Sequence, residues 1–251
     1  MPKMVAAECI KLKRNSILGI VILGSFCSVI LAVVQLLGAE GTQRGFQELN
    51  DGVIWNNVTL FFPALLTLMT GYTINREYID DTLKNNLVVG VTYRKMMAAK
   101  VITNFLLMLI VAITNFVLTI IISEFLGYTF FSISTNFFRT IVTSFGCYVS
   151  VLPIVLLSSM KRNNYLGGVV LAFAVGICGI FVANTKLVNI YPLTASLAII
   201  HYDSKLTLYK AGWGCASIII IFMISVVILI GRKVDKPDSS DNLYSDWTDG
   251  T

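Results

Sequence analysis

Six long apolar stretches dominate this sequence and constrain its fold more than any other feature. Each holds about 19–26 residues, and about 20 residues in a helix cross the hydrocarbon core of a bilayer. Because an isolated span finds no water for its backbone N–H and C=O groups, it has to be helical. The alternation of period two that a membrane β-barrel requires is absent. The six predicted spans are Ile17–Leu37, Val53–Ile74, Val101–Leu126, Phe137–Ser158, Tyr165–Ala183 and Ala211–Gly231.

The charged fraction supports a membrane protein. Only 13% of the 251 residues are charged, whereas a soluble domain carries about 25%. The sequence therefore predicts an all-α, polytopic membrane protein with one six-span domain over residues 1–235 and an acidic, disordered tail over residues 236–251. Residues 1–16 predict a short amphipathic helix on the membrane surface. An ordinary positive flank of the first span is the alternative for that segment.

Lysine and arginine are distributed unequally between the two sides of the predicted spans. If the N-terminus is cytoplasmic, 14 of the 19 basic residues fall on the inner side. Loops that stay in the cytoplasm carry an excess of basic residues. The distribution therefore predicts that both termini are cytoplasmic and that residues 75–97 form the first cytoplasmic loop.

Motifs that would carry catalysis or hold a cofactor are missing from the sequence. The chain has a single histidine, His201, and therefore no H-E-x-x-H motif, and it has neither G-x-S-x-G nor the G-x-x-x-x-G-K-[ST] loop that cradles ATP phosphates. Its five cysteines form no C-x-x-C pair. We expect no enzymatic activity, no cofactor or metal in this chain, and no bound nucleic acid.

The loop over residues 75–97 carries an unusual density of charge between two spans. Asp80 or Asp81 can cap a helix, because a short carboxylate accepts hydrogen bonds from the free N–H groups at a helix N-terminus. Leu83 and Leu87 then share one apolar face. An amphipathic helix of this kind lies flat beneath the membrane and suits a groove on a soluble partner.

A plain interfacial helix is the alternative for this loop. It accounts for the basic residues, because they meet anionic lipid headgroups. It does not account for the acidic residues Glu77, Asp80 and Asp81, which gain nothing from a negatively charged surface.

The loop resembles the coupling segment of the permease subunits of type-2 ATP-binding-cassette (ABC) exporters. The resemblance rests on the order E-x-x-x-D-T-L-x-N-x-L-x-x-G-x-T-x-R-x-x-x-x-x-K, from Glu77 to Lys100. AECIKLKRNS, residues 7–16, is similar to that family's membrane-surface helix, with a Glu-x-x-Lys step at Glu8 and Lys11. IYPLTAS resembles its short re-entrant helices, which would place an outer re-entrant segment at residues 184–210.

The resemblance implies a permease that pairs with a second permease chain, the same or a similar one. Two copies of an ABC ATP-binding subunit would bind ATP and Mg and dock onto the coupling segments. The residues that the resemblance implies in this contact are Glu77, Asp80, Asp81, Thr82, Leu83, Leu87, Gly90 and Arg94.

The small size of the chain is most similar to permeases of lantibiotic immunity and antimicrobial-peptide export. That similarity implies a bacterial plasma membrane, contact with membrane lipid, and a hydrophobic or amphipathic peptide substrate. Two alternatives stay open: a peptide-sensing or scaffold protein without transport, and an ATP-independent carrier. A carrier would predict inverted repeats and charges near the bilayer midplane, and the sequence has neither.

The second and fifth spans carry two further patterns. Small residues on one face of the fifth span predict the contact with a second permease chain, and packing within one chain is the alternative; they are Gly168, Ala172, Gly176 and Gly179. Pro63 is expected to kink the second span. The residues of a possible substrate path are Asn56, Asn57, Thr59, Pro63 and Thr67.

Glu124 and Arg139 flank a short outer loop from opposite sides. We expect them to form an ion pair at the membrane surface or to face water separately.

Overall fold

The computed structural model describes residues 2–13, 17–39, 44–79, 93–159, 164–202 and 209–231. Its regular elements over these ranges are helical, and six of its helical stretches are long and apolar enough to cross a membrane. The predicted all-α, six-span fold is therefore confirmed. The helices are α1 (Pro2–Lys13), α2 (Ile17–Gly38), α3 (Phe46–Asn56), α4 (Phe62–Ile79), α5 (Tyr93–Phe125), α6 (Ile133–Ser158), α7 (Tyr165–Val182), α8 (Ala195–Ile199) and α9 (Ala211–Gly231).

The second span is assembled from three consecutive elements. A π-helical turn, Asn57–Phe61, joins α3 to α4 without a break, and the N–H of Phe62 donates to the carbonyl of Asn57. Pro63 follows directly, and its ring supplies no N–H to the carbonyl of Thr59, four residues earlier. The wider turn and the missing bond therefore occur together, and single π turns of this kind are frequent at functional sites.

This span begins seven residues before the predicted start at Val53. Its first turns are polar because they contain Glu48, Asn50 and Asp51. A prediction based on apolar runs therefore misses them. Phe46 nevertheless is buried, with its ring centroid 5.4 Å from that of Phe130. Packing of this kind offsets the cost of carrying polar residues into the bundle.

The described helices divide into a centre and a periphery. The second span and α6 have the largest buried shares among the six, whereas α7 and α9 have the smallest. Exposed residues of the peripheral helices are large and apolar, for example Val170 and Phe181 of α7 and Ile219 of α9. Such faces suit contact with lipid chains, which are as apolar as the side chains themselves.

The two ends of the described chain lie at the same end of the bundle. Met4 of α1 and Ile228 of α9 pack against one cluster that contains Ile74, near the end of α4, and Met96, near the start of α5. The charged loop between α4 and α5 therefore leaves from this end. The predicted tail, residues 236–251, lies outside the described part of the chain.

Residues 184–202 fold back onto the bundle through a 3₁₀ turn, Lys186–Asn189, and α8. The hydroxyl of Tyr191 donates to the carbonyl of Val175 in α7 at 2.6 Å. Burial raises the pKa of Tyr191, which agrees with a hydroxyl that donates this bond.

Candidate functional site

The structure brings the two flanks of the predicted coupling segment together. Ile79 ends α4 and Tyr93 begins α5 at the same end of the bundle. Arg94 is exposed in the first turn of α5, and Glu77 lies near the end of α4, although its side chain is not described. The other predicted coupling residues lie outside the described residues: Asp80, Asp81, Thr82, Leu83, Leu87 and Gly90.

A buried lysine joins three elements beside these flanks. Nζ of Lys100 in α5 donates to Oε2 of Glu8 in α1 at 2.8 Å and to the carbonyl of Thr73 in α4 at 3.0 Å. Lys100 is only 2% exposed and the side chain of Glu8 only 13%. The other carboxylate oxygen of Glu8 accepts from Nζ of Lys11 at 3.0 Å. We call Glu8, Thr73 and Lys100 the basal junction.

Asn104 extends the basal junction by one turn of α5. Its Nδ2 donates to Oγ1 of Thr73 at 2.8 Å and to the carbonyl of Lys100 at 2.9 Å. Over the described residues, Lys100 is the one charged side chain classed as fully buried. A buried ammonium group is tolerated only when it is paired and hydrogen-bonded, and the junction supplies both.

This junction was not predicted from the sequence, although both of its charged residues belong to the motifs described above. Glu8 belongs to the membrane-surface helix and Lys100 closes the coupling motif. The same resemblance places these two residues at the same end of the spans, and they have opposite charges. An ion pair between them could have been predicted on that basis.

The residues of the possible path lie inside the bundle and bond to neighbouring helices. Nδ2 of Asn57 donates to Oδ1 of Asn115 in α5 at 2.9 Å. Nδ2 of Asn115 in turn donates to the carbonyl of Ser25 and to Oγ of Ser28, both in α2 and both at 3.0 Å. These hydrogen bonds join α2, α5 and the second span. A role in a substrate path stays a prediction.

Other polar residues of the second span are buried in a similar way. Nδ2 of Asn56 donates to Oε1 of Gln35 at 2.9 Å, and the hydroxyl of Thr59 donates to the carbonyl of Trp55 at 2.7 Å. The hydroxyls of Thr67 and Thr70 are buried and have no hydrogen-bond partner among the described residues. Buried hydroxyls of this kind are costly unless a water or a ligand satisfies them.

The small residues of the fifth span pack within one chain. A Cβ on Gly176 would overlap the carbonyl oxygen of Thr59 and lie 3.2 Å from the ring of Pro63. A Cβ on Gly168 would overlap the hydroxyl of Ser158 in α6. Ala172 is buried in the same core, and Gly179 faces Thr194 across the outer segment.

This packing corrects the expectation that the small face meets a second permease chain. Gly168, Ala172, Gly176 and Gly179 are all buried inside the single chain. The physical reason is the second span, whose turn before Pro63 brings its backbone against α7 and leaves no room for a side chain. The structure instead shows packing within one chain, which was the alternative for this face.

Arg139 has a different ionic partner from the one expected. Its Nη1 lies 2.6 Å from Oδ1 of Asp51 in α3, and its Nη2 donates to the carbonyl of Tyr202 at 3.4 Å. The hydroxyl of Tyr202 donates to the carbonyl of Asp51 at 2.9 Å. The ion pair between Glu124 and Arg139, one of the two alternatives, is therefore wrong, because α3 brings Asp51 to Arg139. Glu124 is exposed at the end of α5, as the other alternative expects.

Comparison with protein-family models identifies a family for most of the chain. The model described as "ABC-2 family transporter protein" matches residues 4–179. This range includes the whole basal junction and the predicted coupling segment. Searches of curated proteins and of solved structures find no match.

Proposed function

This chain belongs to the ABC-2 family of transporter proteins, and we propose that it is the permease subunit of an ABC exporter that a separate ATPase subunit powers. The family is a component of membrane transport, which agrees with the six apolar spans. One observation carries the finer proposal: α4 and α5 lead into and out of the charged segment at the end of the bundle where the basal junction lies.

The proposed mechanism couples that segment to ATP. Residues 75–97 dock into a groove on the ATPase, with Leu83 and Leu87 in its apolar part. ATP brings two ATPase copies together, and the movement of the docked segments tilts α4 and α5 in each of two permease chains. The second permease is the same chain or a similar one.

The proposed substrate is a hydrophobic or amphipathic peptide, as in lantibiotic immunity, at the plasma membrane of a bacterium. The resemblance to small peptide exporters supports this class. The buried hydroxyls of Thr67 and Thr70 also support a path along α4, since a substrate or water could satisfy them after the bundle opens.

The test of this proposal is ATP hydrolysis by the purified complex in lipid nanodiscs. A cationic amphipathic peptide should raise the hydrolysis rate, and the chain without its ATPase should hydrolyse no ATP. A rate that no such peptide changes would contradict the peptide substrate. A raised rate without movement of peptide across vesicles would favour a peptide sensor instead.

The proposed orientation places the basal junction in the cytoplasm. We expect a cysteine at Glu48 to react with a membrane-impermeant maleimide on intact cells, and a cysteine at Asn85 to react only after lysis. Four native cysteines are exposed and would be changed to serine first: Cys9, Cys27, Cys178 and Cys215. Labelling of Asn85→Cys on intact cells would show that the orientation is the reverse of the proposed one, and the segment could then not contact a cytosolic partner.

A further inference from the structure

Lys100 occupies a position where an apolar side chain would be expected. It lies about two turns inside a helix that is long and apolar enough to span the membrane. A buried ammonium group is costly unless it is paired and hydrogen-bonded, and Lys100 is only 2% exposed. A buried ion pair contributes little to net stability compared with apolar residues of similar size. Stability alone therefore does not explain a lysine here.

The contacts of Lys100 suggest what it does. Its ammonium group has three N–H donors, and its two described acceptors come from two other elements, Glu8 of α1 and Thr73 of α4. A single side chain of α5 thus joins α1 to both helices that flank the coupling segment.

Apolar packing holds α1 only weakly. Among its described side chains, Leu12 is the one that is fully buried, and Ile10 is 68% exposed. Without the ion pair, α1 would rest on the bundle through Leu12 and a few half-buried residues such as Met4. The pair between Glu8 and Lys100 is therefore a directional contact that helps to fix where α1 lies.

We propose that Lys100 is a positioning residue that ties the membrane-surface helix α1 to the ends of α4 and α5, so that α1 moves with the coupling segment. This inference rests on the proposed function for its role in transport, but the tie itself is a property of the permease alone. When the ATPase moves the segment, α1 shifts along the membrane surface with it.

The test measures the distance between spin labels on the purified permease and on its complex with the ATPase. One label is attached to native Cys9 in α1 and the other to Lys95→Cys in α5, both exposed positions; the other exposed cysteines are changed to serine. We expect one narrow distance, unchanged by ATP. The double variant Glu8→Gln, Lys100→Met should lose that narrow distance while its unfolding temperature stays near that of the parent, because an apolar isostere replaces the buried charge.

Two controls separate positioning from stability. Lys100→Arg keeps a cation with several donors and should retain the narrow distance. Lys100→Met alone leaves Glu8 paired with Lys11 and should also broaden the distance, and it serves if the double variant fails to fold. A narrow, unchanged distance in the variants without the ion pair overturns the proposal.

The outcome is distinguishable from failure of the proposed function. If no ATPase binds the parent chain, the coupling role is refuted, although the permease alone still reports whether the tie exists. If the ATPase binds and the double variant retains peptide-stimulated hydrolysis and the narrow distance, the tie is refuted and the proposed function stands.

Discussion

Replacing Leu83 by alanine together with Glu77 by lysine is expected to abolish transport while expression and membrane insertion stay near normal. A leucine that fills the groove of a partner typically contributes about 2 kcal/mol or more to binding, roughly thirtyfold in affinity. The lysine adds a like-charge clash if the ATPase is basic at that point. The measurements are the amount of ATPase that co-purifies with each permease and the efflux of peptide from vesicles.

Lys84→Ala is the matched control for this double variant. On the predicted helix, Lys84 points away from Leu83 and Leu87, so its loss should change little. If the ATPase co-purifies equally well with the double variant and transport is retained, the loop is only an interfacial flank of the spans.

Gly176→Leu is expected to destabilise the single chain strongly. A side chain there collides with the carbonyl oxygen of Thr59, and backbone inside a helix cannot rotate away as a side chain would. Overpacking in a well-packed core costs about 1–3 kcal/mol, occasionally more. Thermal unfolding in detergent at a concentration where the permease is monomeric measures the effect, and Gly176→Ala should give a smaller loss in the same direction.

Gly19→Leu is the matched control for this site. Nothing lies within 4 Å of the Cβ that would be added at Gly19 in α2, so a leucine there should leave the unfolding temperature unchanged. If Gly176→Leu preserves the stability of the single chain and weakens only the pairing of permeases, the packing within one chain is the wrong account of this face.

The spans could be predicted from the sequence because the length of an apolar run is a local property. Ala211–Gly231 was predicted with the same bounds as the observed helix. The start of the second span could not be predicted in this way. Its polar first turns are held by contacts with distant residues, such as the packing of Phe46 against Phe130.

The candidate site could be predicted only in part, for a related reason. The spacing of small residues in α7 predicted a tightly packed face, but spacing does not say which helix covers it. One alternative paired Arg139 with Glu124 because the two flank the same outer loop, whereas its partner Asp51 lies 88 residues away. Glu8 and Lys100 are 92 residues apart, so only the folded chain brings them together.

Site-specific photocrosslinking can show directly whether the segment between α4 and α5 contacts an ATPase. A benzophenone amino acid at Asn86 would be activated in intact cells and its crosslinked product identified by mass spectrometry; the same residue at Glu48 is the control. We expect the amino acid at Asn86 to capture a protein with a G-x-x-x-x-G-K-[ST] loop and the one at Glu48 not to. Crosslinks from Asn86 to lipid alone, or equal capture from both positions, would contradict it.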